Sequence, residues 1–131
     1  MRYLVRAKVK PGRARELLRA IDGRTLGRGS VAEGEYLRNM RNARVDAQCV
    51  VKWVEVCFCA TPLDEERPYW ERYFELARVQ DAHHRKHCRD ADGSQPWACA
   101  TCDCSKRLEQ SLARRGEPFV QRLRRDAAAD D

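Results

Sequence analysis

No apolar run in this chain approaches the roughly 20 residues that a membrane-spanning helix needs, so a helical membrane protein is not expected. The N-terminus also lacks the charged-then-apolar order of a secretion signal. Met1 to Val9 instead alternates, with Arg6 and Lys8 inside the segment. Without an export signal the expected compartment is the cytoplasm, where thiols stay reduced and stable disulfides are rare. The chain shows no internal repeat. Apolar material is scarce as well: 35% of the residues are charged and the mean hydropathy is −0.76. At 131 residues there is room for one thin core and not for two.

Charge is plentiful but not segregated. The net charge is +6, and 26 residues are Lys or Arg, of which all but five are Arg. Arginine suits phosphate, yet acidic residues are interleaved with basic ones nearly everywhere, as in Asp64-Glu65-Glu66-Arg67. Only Arg114-Arg115 and Arg122 to Arg125 form local basic clusters. A nucleic-acid face concentrates its charge, so a nucleic-acid partner is not expected.

Periodicity gives the elements. Tyr3, Val5, Ala7 and Val9 alternate with polar neighbours, which predicts a half-buried strand. Pro11-Gly12 ends it. Leu17, Leu18 and Ile21 then recur at helical spacing over Arg13 to Ile21, with Gly23 as the stop. Gly23 to Gly34 reads as a loop. Its Gly27-Arg28-Gly29-Ser30 stretch does not follow a strand, as a phosphate-cradling loop would. Glu35 to Val45 suggests a second strand, although its polar residues also fit a helix. Cys49 to Ala60 is the clearest strand, rich in Val and aromatics. Leu63 to Cys88 is predicted as one long helix. Asp64, Glu65 and Glu66 lie in its first turn, and Trp70, Tyr73, Phe74 and Ala77 form one apolar stripe. Trp97 to Cys104 suggests a last strand or a metal loop. Ser105 is placed to cap a helix over Lys106 to Arg114, Phe119 to Arg125 is a further helical segment, and Ala127 to Asp131 is expected to fray.

This order predicts an α+β fold: a ferredoxin-like antiparallel sheet with packed helices and a C-terminal Cys-rich helical extension. Residues 1–90 would form the α+β unit, and residues 91–131 a Cys-rich element and tail packed on it. The strand ending in Val9-Lys10-Pro11-Gly12, followed by a charged helix, resembles the opening of dimeric α+β-barrel proteins over roughly the first 80 residues. That resemblance implies face-to-face sheet association, hence a homodimer. It implies a family that includes small monooxygenases and isomerases, and it transfers no catalytic residue.

The chemistry lies in the cysteines, seven in all. Clustered thiols in a reducing compartment are more often metal ligands or redox groups than structural bridges. Cys57 and Cys59 end the clearest strand and would project from one face with Trp53 and Glu55. Cys99, Cys102 and Cys104 form a Cys-x-x-Cys knuckle with a third thiol. His84 and Cys88 would share a face at the end of the long helix. Zinc takes four N or S ligands, so Cys99, Cys102 and Cys104 are expected as the primary site. Cys57, Cys59, Cys88 and His84 are the candidates to complete it. Copper(I) or an iron–sulfur cluster would accept the same thiols. Cys49 is expected to be structural. Two alternatives stand beside metal binding. One is a thiol–disulfide couple of Cys99 and Cys102. The other is a small enzyme using a sheet–helix cleft, with Glu55, Tyr69, Tyr73 and His84 as its polar groups.

Overall fold

The computed structural model describes residues 2–83 and 104–129. Among them are five helices and five strands. In chain order they are β1 (Arg2–Val9), α1 (Ala14–Asp22), α2 (Glu33–Asn42), β2 (Arg44–Val45), β3 (Val51–Val56), α3 (Arg67–Trp70), β4 (Phe74–His83), α4 (Cys104–Leu112), β5 (Glu117–Pro118) and α5 (Phe119–Ala129). The strands form one sheet in the order β4-β1-β3-β2-β5, and every neighbouring pair is antiparallel. The fold is therefore mixed α+β. No helix among the described residues is long and apolar enough to cross a membrane.

Alternation along β1 divides the sheet into two faces. Tyr3, Val5 and Ala7 are buried with Val51 and Trp53, against Leu17 of α1, Tyr36 and Met40 of α2, and Phe119 and Leu123 of α5. Leu4 and Val54 point the other way, where Leu108 and Leu112 of α4 line a crevice with them. The first face carries a chain of rings. Tyr36 and Trp70 lie 4.8 Å apart, Trp70 and Trp53 4.6 Å, Trp53 and Phe74 5.2 Å, and Phe74 and Phe119 5.9 Å. Tilted pairs at such separations add about 0.5–1.5 kcal/mol each beyond the area they bury. Gly27 is required here: its φ is +76°, and a Cβ on it would lie 2.1 Å from the Tyr36 ring.

The long helix predicted over Leu63 to Cys88 does not form. Trp70, Tyr73 and Phe74 are buried, but a single turn of α3 followed by a strand satisfies their spacing. From Phe74 onward the chain pairs with β1 along its whole length. As an edge strand with a register shift it shows no clean alternation, and Ala77 is exposed. The backbone bonds to β1 decide the outcome over local propensity.

Glu35 to Val45 is mostly helix and not strand. Tyr36, Asn39 and Met40 are buried one turn apart, and only Arg44–Val45 joins the sheet. The strand predicted over Cys49 to Ala60 is shorter and ends at Val56. The last helix runs to Ala129 with Ala127 buried, where fraying was expected. Ser105 lies inside the first turn of α4 and accepts from Arg2 Nε at 2.8 Å. The last-strand reading over Trp97 to Cys104 falls mainly outside the described residues.

A candidate metal centre at the end of the central strand

Trp53, Glu55 and Cys57 recur at period two, and all three are buried. Where β3 ends, Cys57 to Cys59 leaves the ladder. Leu63 then turns the chain in a left-handed conformation (φ 59°) with its side chain fully buried. The Leu63 carbonyl accepts from Arg67 N at 2.8 Å, which starts α3. This turn carries Glu66 back against the strand end, with 6% of its surface exposed.

The Cys57 thiol donates to Glu66 Oε2 at 3.4 Å, and the Cys59 thiol approaches the same oxygen at 3.9 Å. Cys59 N–H donates to Cys57 Sγ at 3.3 Å. The two sulfurs and a Glu66 oxygen all lie within 4.8 Å of one another. Such a group can bind a metal ion. Burial pushes the Cys57 thiol up to about 12, against the pull of backbone hydrogen bonds from Cys59 and Leu63. The thiol therefore keeps its proton near neutral pH, and the two amides would offset the charge of the thiolate that a bound cation would require.

Cys57 and Cys59 are expected on one face at the end of the strand. They do lie on one side, both reaching Glu66 while Phe58 between them is exposed, but just beyond Val56, the last residue of the ladder. Glu66 was missed. Its position among three consecutive acidic residues read as helix-dipole chemistry, and the signal available was a Cys-x-Cys followed seven residues later by a carboxylate across a Thr61-Pro62 turn.

Cys104 is buried at the start of α4, where Arg107 Nη2 donates to its sulfur at 3.0 Å. Cys49, expected as structural, is exposed on a turn with φ 65°, and Arg122 Nη2 donates to it at 3.5 Å. His84, Cys88, Cys99 and Cys102 lie outside the described residues, as does the redox pair that two of them would form. Among the described residues no cysteine is in a disulfide.

Of the groups named for a catalytic cleft, His84 lies outside the described residues, and the hydrogen bonds of Glu55 go to neither Tyr69 nor Tyr73. Glu55 Oε1 accepts from Trp53 Nε1 at 2.7 Å and its Oε2 from Trp70 Nε1 at 3.1 Å. Tyr69 packs on Tyr36 at 5.7 Å, and the Tyr73 ring lies 5.7 Å from the Arg72 guanidinium. Burial raises the Glu55 carboxyl to about 7, opposed by the two indole bonds and reinforced by the charges of Glu66 and Glu35.

The Gly27 to Ser30 stretch is committed elsewhere. Ser30 Oγ donates to Glu65, and Val31 N–H donates to Glu65 Oε1 at 3.2 Å.

Comparison with protein-family models, with curated proteins and with solved structures gives no match to this chain.

Proposed function

We propose that the chain is a metal-binding protein that holds zinc through Cys57, Cys59 and Glu66. The observation that carries this reading is the meeting of two thiols and a buried carboxylate within 4.8 Å. A carboxylate oxygen beside two sulfurs suits zinc, which accepts both ligand types. Copper(I) and iron–sulfur clusters draw on thiolate more exclusively.

Zinc takes four ligands, and the described trio supplies three. The remaining candidates are His84, Cys88, Cys99 and Cys102, whose segment is bracketed by described residues. His83 pairs with Arg2, and Ser105 also bonds Arg2. Arg2 in turn sits opposite Val56, the residue before Cys57. Both anchors of that segment thus lie at the end of the sheet that bears the trio, and this supports completion of the site from within the segment. A centre closed in this way is structural rather than catalytic. It requires reduced thiols, so the reading places the protein in a reducing compartment such as the cytoplasm. The strand order β4-β1-β3-β2, with a helical connection between β1 and β2, supports a ferredoxin-like scaffold under the site.

The test is metal analysis of protein purified under reducing conditions without added chelator. One equivalent of zinc is expected, with Cys57 and Cys59 protected from alkylation until it is removed. Protein that carries no metal, refuses added zinc and shows both thiols freely alkylated sinks the reading.

A further inference from the structure

The sheet has a second face, turned away from the aromatic core, and the strand register gathers charge on it. Val5, Ala7, Val45, Val51, Trp53 and Val79 pack into or against the core. Their neighbours Arg6, Arg44, Lys52 and Arg78 therefore point the opposite way. Arg6 pairs with Arg78 on one side and with Lys52 on the other, and Lys52 pairs with Arg44. Four cationic side chains thus stand in one row across β4, β1, β3 and β2. At about 4.8 Å between strands the row is about 14 Å long. In the amino-acid order each of the four lies between two apolar residues, and no basic cluster shows. Only the register assembles them.

Little on this face cancels the charge. Lys52 meets Asp46 at 3.4 Å. Arg6 donates to the neutral Gln80 Oε1 at 2.7 Å, and Arg44 donates to the carbonyls of Arg115 and Gly116 at 3.0 and 2.9 Å. Arg78 is exposed and has no partner among the described residues. Three guanidinium groups of the row therefore lack a carboxylate among the described residues. In the next row Lys8 and Glu75 oppose each other and cancel. Like charges directly opposite each other weaken a sheet, and a polyanion laid along the row removes that repulsion.

We propose that this row binds the phosphate backbone of a single nucleic-acid strand, without reading its sequence. The row is linear and longer than one phosphate group, so a polyanion fits it better than a small ion. Planar guanidinium forks match phosphate oxygens in pairs. On the same face α4 lies over the adjoining Leu4–Val54 row, and a helix stands about 10 Å high beside the arginines. A flat bilayer cannot settle against a row at the foot of a helix. A rigid duplex curves away from the sheet, whereas a flexible strand can follow the whole row. A second copy of the chain packed here would set like charges together. The row is independent of the metal centre, since none of its residues belongs to the turn that carries Cys57, Cys59 and Glu66.

Fluorescence anisotropy of a short labelled oligothymidylate, titrated with the whole chain, tests the proposal. A dissociation constant of about 1–100 µM is expected at low salt. Its logarithm should change against log salt with a slope of about 2 in magnitude, as three phosphate contacts require. Arg78→Gln should weaken binding about fivefold to tenfold, and Arg6→Gln with Arg78→Gln should reduce the slope to about 0.7. Both variants should fold, because each relieves a like-charge pair. Arg28→Gln, the same charge change at an exposed loop residue outside the row, should leave the slope unchanged. A loss with Arg28→Gln as large as with Arg78→Gln would reduce the binding to net charge and overturn the proposal. So would equal or tighter binding of duplex, polyglutamate or phosphatidylserine vesicles, a dimer that excludes the oligonucleotide, or no binding at all.

Discussion

Glu55 and Glu66 are buried to nearly the same degree, 3% and 6% exposed, but they have opposite kinds of partner. Glu55 is held by two indole N–H groups, from Trp53 and Trp70. Those donors never ionise, so the carboxylate can only accept them or take up a proton. Glu66 is approached by two thiols. Those donors can lose their protons to solvent when a thiophilic cation binds, and would then be ligands beside the carboxylate they had bonded. One carboxylate therefore locks the aromatic core, and the other is available for exchange. The difference lies in the donors and not in the depth of burial.

The largest effect should come from removing the exchangeable donors. Cys57→Ser with Cys59→Ser is expected to weaken zinc binding about 1,000-fold or more, equivalent to about 4 kcal/mol. Glu55→Gln, two residues upstream, should leave zinc affinity within about threefold. Competition against a coloured chelator measures both. Wild-type affinity in the double variant would erase the distinction between the two carboxylates.

The next effect belongs to Glu55 and concerns stability rather than binding. Its carboxyl is raised from 4.5 to about 7 in the fold, so the folded state binds the proton more tightly than the unfolded chain. Its stabilising contribution is therefore complete below about pH 4.5 and disappears as pH rises through about 7, a loss of about 3 kcal/mol. Urea unfolding of the metal-free protein across that range should show the decline, and Glu55→Gln should flatten it. An unchanged slope in the variant would assign the decline to other groups.

The first half of this comparison was visible in the amino-acid order, and the second was not. Trp53, Glu55 and Cys57 at period two announce a strand with one inward face, and β1 and α1 were legible for the same reason: one face of each is buried. Glu66 was hidden because its role depends on Leu63 adopting a left-handed turn, a conformation no local propensity signals for leucine. The edge strand β4 was hidden because its hydrogen bonds go to β1, about 70 residues earlier, while Trp70, Tyr73 and Phe74 mimic a helical stripe. In α4, the burial of Leu112 was legible from spacing. That the helix lies over the Leu4–Val54 face was not.

A smaller effect follows from the raised Cys57 thiol. Because its proton is held up to about pH 12, zinc must displace it at any ordinary pH. Apparent affinity should thus climb at least tenfold, about 1.4 kcal/mol, for each pH unit near neutrality. Competition titrations at pH 6.5 and 7.5 measure this. A flat profile would mean that zinc does not draw on Cys57.

The smallest effect separates Glu66 from its neighbour Glu65. Ser30 Oγ donates to Glu65 and accepts from the buried Tyr36 hydroxyl at 2.9 Å and from Ala32 N at 3.2 Å. Ser30→Ala leaves the Tyr36 hydroxyl without its acceptor in a dry core, at a cost of about 1 kcal/mol. Because Glu65 contacts the loop before α2 and Glu66 contacts the thiols, stability should fall while zinc affinity holds within about twofold. Both quantities can be read on one preparation, by urea unfolding and chelator competition. If they fell together, the Ser30–Glu65 contact would be setting the geometry of the 61–66 turn, and the two adjacent carboxylates would act as one unit.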